Sequence, residues 1–121
     1  MRKLILKSLF LFFLTTSAYS MSCTFQMPKG IKTYTFSYQN DSVYLNGMPY
    51  KVGQQVGPDA QGTTIKTSKI GRNLYEVDIS ITLQGNPYMS TKFQPNFGNK
   101  TAKVLIQMAT MQPMMFETNC R

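Results

Sequence analysis

Between residues 74 and 83 the chain reads Leu-Tyr-Glu-Val-Asp-Ile-Ser-Ile-Thr-Leu, and from Tyr75 onward every second residue is apolar. Successive side chains of a strand point to opposite faces, so this period of two buries Tyr75, Val77, Ile79, Ile81 and Leu83 and wets Glu76, Asp78, Ser80 and Thr82. Segment 32–38 repeats the pattern, with Tyr34, Phe36 and Tyr38 on one face and Thr33, Thr35 and Ser37 on the other. Within 42–52, Asn46-Gly47 separates two β-rich arms, a hairpin signal because both residues tolerate positive φ. Pro49 lacks an N–H and places the second arm at a sheet edge. Residues 53–62 read as a loop. Strands at 63–69, 88–93, 101–108 and 114–119 follow, with turns at 70–73 and 84–87 and a loop at 94–100. No stretch carries an amphipathic helix of useful length. The expected fold is all-β, an antiparallel meander of about eight short strands closed as a small barrel or packed as a sandwich.

Residues 1–20 carry the marks of a secretory signal peptide. Arg2 and Lys3 precede an apolar run through Leu14, and Ala18-Tyr19-Ser20 offers small residues for cleavage after Ser20. The run from Ser8 to Ser17 is about half of the roughly 20 residues a membrane span needs, so no transmembrane segment is expected after cleavage. An uncleaved membrane anchor and a lipoprotein with Cys23 lipidated are the alternatives. Ser22 supplies the small residue before that cysteine, but no Leu stands three places before it. Residues 21–121 then form a single domain in the periplasm or secreted.

Cys23 and Cys120 lie at the two ends of that domain. In an oxidising compartment an even pair is expected as a disulfide. Closing so long a loop stabilises by roughly 4–5 kcal/mol in the loop-entropy model. That is a large part of the about 5–15 kcal/mol typical of a whole domain. It also requires the first and last strands to be neighbours.

Composition removes several chemistries. The 121 residues include no His and two Cys. A Ser-His-Asp triad, a Cys-His pair and a histidine metal site are therefore absent. Glu76 and Asp78 share one strand face about 7 Å apart. That face reads as solvated and opposite Lys66 or Lys69, so the pair is structural, no catalytic residue is assigned and no cofactor is expected. Four methionines crowd into Met108, Met111, Met114 and Met115. Thioethers are soft ligands suited to Cu(I), but methionine also fills cores and makes adaptable contact surfaces. Removing residues 1–20 leaves ten basic and five acidic residues, net +5. Lys66, Lys69 and Arg72 form the densest basic group. They are candidates to attract an acidic protein or an anionic envelope component. An exported chain rarely meets nucleic acid, and none is expected as a partner.

Cys23 near the start, Cys120 near the end and the stretch from Ser68 through Gly71 and Arg72 to Tyr75 resemble the periplasmic C-type lysozyme inhibitors, small exported barrels. The resemblance implies inhibition of a lysozyme-like hydrolase. The chain departs by extra residues between Gly71 and Tyr75, and its positive charge opposes a basic lysozyme at long range. The leading expectation is a non-enzymatic exported β-domain that binds a protein or envelope component through its surface. Its first contact surface is Met108–Met115, and its second is the basic turn. A periplasmic Cu(I)-binding protein and a hydrolase inhibitor are the alternatives.

Overall fold

A computed structural model describes residues 19–121, and all of its regular structure is strand. The strands are β1 (Tyr19–Met27), β2 (Gly30–Gln39), β3 (Ser42–Leu45), β4 (Met48–Lys51), β5 (Gln55–Val56), β6 (Thr63–Gly71), β7 (Leu74–Leu83), β8 (Asn86–Asn96), β9 (Thr101–Met108) and β10 (Met114–Asn119). Every pairing within the sheets is antiparallel between chain neighbours. The first sheet runs β1-β2-β3-β4 and the second β10-β9-β8-β7-β6-β5. The expected signal peptide lies outside the described residues, apart from Tyr19 and Ser20, which open β1 opposite Tyr38 and Ser37. Among the described residues no helix is long and apolar enough to cross a membrane.

The two sheets are joined at both margins. At one, the Gly53 N–H donates to the Thr67 carbonyl (2.8 Å) and the Thr67 N–H to the Gln54 carbonyl (3.2 Å). The chain therefore leaves the first sheet at β4 and enters the second at β5, a corner of the kind that strands make when they switch sheets. At the other margin Cys23 bridges Cys120, and Ser22 and Arg121 exchange both backbone hydrogen bonds at 2.9 Å. The result is a meander wrapped into a flattened barrel, which is why alternation alone reads the same for barrel and sandwich.

Turn chemistry matches the reading of the sequence. Asn46 (φ 51°) and Gly47 (φ 84°) both have positive φ. So do Asn40 and Asp41 between β2 and β3, and Gln84 and Gly85 between β7 and β8. Two-residue turns with both central φ positive carry a twist that matches the flanking strands. Pro49 lies on β4, at the edge of the first sheet, opposite Tyr44.

Two strands are added to the expected set of about eight, and a third is longer than expected. Residues 21–27 form most of β1, with Met21, Cys23 and Phe25 buried. The loop at 53–62 contains the two-residue β5. Finally, β8 continues through Pro95, where a loop is expected from 94 onward. Pro95 removes an N–H from the ladder, and β7 and β8 form no ladder pair between Leu74–Asn96 and Val77–Phe93. The strand continues because the Pro95 ring is fully buried and the Gln94 amide donates to Glu76 Oε1 (2.8 Å) across the gap.

The core lies between Phe25, Phe36, Val43 and Leu45 of the first sheet and Val77, Phe93 and Val104 of the second. Phe93 touches Tyr34 edge-on, with ring centroids 5.0 Å apart. One end of the barrel is closed by aromatic rings. Tyr38 stacks on Tyr75 at 4.6 Å, and Phe97 lies against both. The Tyr38 hydroxyl is pushed up to about 12, first by the Tyr75 hydroxyl beside it, then by burial and by the Asp41 carboxylate, to which it donates at 3.2 Å.

Two outcomes follow from this packing. Replacing both cysteines (C23A/C120A) lowers the unfolding free energy by about 4 kcal/mol in urea titrations, and a loss below about 1 kcal/mol contradicts the role given to the link. Absorbance at 295 nm against pH shows one tyrosine ionising near about 12, and Tyr38→Phe deletes that step. Because the fold raises this pKa, its stabilisation is complete below the ordinary tyrosine value and disappears between about 10 and about 12.

Candidate functional site

The inner face of the second sheet consists of cross-strand rows. The first row, Thr67-Val77-Phe93-Val104-Phe116, is buried except at Phe116, which is half-buried. The second, Ile65-Ile79-Thr91-Ile106-Met114, is half-buried throughout. The third, Thr63-Ile81-Met89-Met108, is half-buried as well. Burial fades along the strands for a geometric reason. β7 and β8 have 10 and 11 residues, whereas β3 and β4 have 4 each. The short strands of the first sheet run out before the rows of the second do.

What remains over those rows is the tip of the β1–β2 hairpin. Between them lies a cleft of about 660 Å³, inside the range of about 300–1,000 Å³ usual for ligand sites. Tyr34 and Phe93 line its depth, and Ile79, Ile106 and Phe116 its apolar side. Burial raises the Tyr34 hydroxyl pKa above the ordinary tyrosine value. Five methionines converge on the cleft: Met27 from β1, Met89 from β8, Met108 and Met114 from β9 and β10, and Met111 from the turn between these last two. Among the described residues, Lys29 and Lys32 are its only charged lining residues.

The candidates read from the sequence divide between two ends of the sheet. Met108, Met111 and Met114 meet in the cleft. Met115, next to Met114 on β10, faces the other way and is 61% exposed. Lys66 is exposed on the outer face, in register with Asp78. Lys69 and Arg72 are exposed beside the β6–β7 turn, where Gly71 and Leu74 pair. That turn carries a register irregularity between Lys69 and Gly71. It stands at the end of β7 away from Ile81, Met89 and Met108, so the basic turn and the methionines form separate surfaces.

All five carboxylates are engaged elsewhere. Asp78 accepts from the Ser90 hydroxyl (3.0 Å), and Glu76 from Gln94. Glu117 lies 3.5 Å from Lys103 Nζ on the outer face. Asp41 accepts from Tyr38. Asp59 accepts the N–H groups of Gln61 and Thr63, each at 2.9 Å, in a turn. No cluster of three His, Cys, Asp or Glu suited to a metal occurs among the described residues. The donors that a soft metal could use in the cleft are the thioethers of Met27, Met89, Met108, Met111 and Met114.

Reasoning on the sequence missed Met27, Met89, Lys29 and Lys32 as site residues. The signal for three of them was alternation. Met27 continues the series Met21, Cys23, Phe25, and Met89 precedes Thr91 and Phe93 at the same parity. Lys32 has the parity of Tyr34, Phe36 and Tyr38.

The difference between core and cleft is measurable. Phe93→Ala, in the buried row, costs about 3–5 kcal/mol. Met89→Ala, two rows away on the same strand, costs less than about 1 kcal/mol because its half-exposed side chain leaves no sealed cavity. Equal losses in denaturant unfolding would place Met89 in the core and contradict the cleft.

Compared with known protein families, with curated proteins and with solved structures, the chain matches none of them.

Proposed function

We propose that this chain is a non-enzymatic binding protein of an extracytoplasmic compartment, the periplasm in a bacterium. It takes an apolar portion of a protein or envelope component into the methionine-lined cleft. The observation that carries this reading is the cleft over the pair of half-buried rows, where Met89, Met108 and Met114 of the rows meet Met27 of β1 and Met111 of the β9–β10 turn. Apolar surface left open in one place marks an interaction site. Unbranched, polarizable methionine side chains adapt to occupants of different shape. The Cys23–Cys120 link is compatible with an oxidising compartment.

A second reading has an observation of its own. Five thioethers at one cleft are a soft donor set, and Cu(I) is the metal that such a set favours. Leucine keeps the apolar volume and removes the sulfur, so one variant separates the two readings. The triple variant M108L/M111L/M114L keeps the fluorescence enhancement of N-phenyl-1-naphthylamine, a neutral apolar probe, within about twofold of the parent protein. Cu(I) titration against a competing chelator shows no sulfur-dependent site tighter than micromolar. Submicromolar copper binding that the triple variant abolishes would establish the copper protein instead. Absence of any probe enhancement in the parent would end the apolar-binding reading.

A further inference from the structure

We infer that the occupant of the cleft is a free long-chain fatty acid, with its carboxylate at Lys29 and Lys32 and its chain along the methionine rows; this rests on the apolar-binding reading above. Lys32 sits opposite Phe25 in the β1–β2 ladder, at the inward parity of Tyr34 and Phe36. Both lysines are exposed at the hairpin tip and also line the cleft. A lysine in that position lays its apolar stem along the lining and keeps its ammonium at the rim.

Charge complementarity sets the sign of the ligand. No carboxylate lines the cleft, and all five in the chain have partners elsewhere. Among the described residues neither Lys29 nor Lys32 has an ion-pair partner. An anionic head would find two ammonium groups there without competition. The body of the ligand must be apolar and without fixed shape, because Ile79, Ile106, Phe116 and the methionines supply contact and almost no hydrogen bonding. An acyl chain loses no hydrogen bonds on entering such a lining, whereas a buried peptide backbone needs partners for each N–H and C=O. A volume of about 660 Å³ suits one chain.

The test uses the purified protein, the naturally fluorescent fatty acid cis-parinaric acid, its uncharged methyl ester and the neutral probe N-phenyl-1-naphthylamine. The acid should bind at least about tenfold more tightly than the ester, the size expected of a charge-assisted contact. K29A/K32A should remove that advantage, bringing acid and ester to equal affinity, and K29R/K32R should retain most of it. Equal binding of acid and ester, or an unaffected alanine variant, overturns the fatty acid while the apolar-binding reading stands. Failure of acid, ester and neutral probe alike overturns both. Co-sedimentation with anionic phospholipid vesicles, without displacement by oleate, would assign the lysines to a membrane surface and also overturn the inference.

Discussion

The first and last strands touch through a single bridge, and the architecture depends on where it lies. Cys23 and Cys120 are 97 residues apart in sequence with Cα atoms 4.4 Å apart, and Ser22 and Arg121 exchange their backbone hydrogen bonds beside them. Cys23 is completely buried among the core residues. The link therefore fixes the margin of the barrel in the interior, not at a loose end. Toward Met27 on one strand and Met114 on the other, β1 and β10 form no further ladder among the described residues. The margin is closed at the covalent link and parts beyond it.

That asymmetry gives the two ends of the molecule different chemistry. At one end Tyr38, Tyr75 and Phe97 close the barrel with stacked and tilted rings. At the other, long second-sheet strands outrun the short β3 and β4, and the inner rows stay open beneath the hairpin tip. A small domain buries only about 60% of the surface its unfolded chain exposes. Leaving two apolar rows half-covered is thus a substantial loss of burial. A covalent closure offsets such a loss through the entropy of the unfolded chain and needs no extra core. The disulfide and the cleft are in this sense parts of one arrangement.

Much of the fold was legible because alternation is a local property. Tyr75 and Val77 are buried as the pattern at 74–83 requires, Asn46-Gly47 makes its hairpin, and the two cysteines pair. Leu83 shows where local reasoning stops. It continues the apolar series but is 50% exposed, because the first sheet does not reach it. Which half of an apolar face becomes core depends on the length of the opposing strands, and nothing in the residues of β7 encodes that. The candidate site was half legible for the same reason. Met108, Met111 and Met114 stand out by crowding, whereas Met89 joins them through its pairing with Met108 in the β8–β9 ladder and Met27 only through the packing of the other sheet.

Methionine methyl groups report on this arrangement directly, since they are spread over both the cleft and the rest of the surface. The most direct measurement is a methyl-selective NMR titration of 13C-methyl-methionine protein with an apolar ligand. Shifts confined to Met27, Met89, Met108, Met111 and Met114, with Met21 in the core and Met48 and Met115 on the exterior unmoved, are the result this account requires. Shifts centred on Met48 or Met115, or none at any methionine, would contradict it.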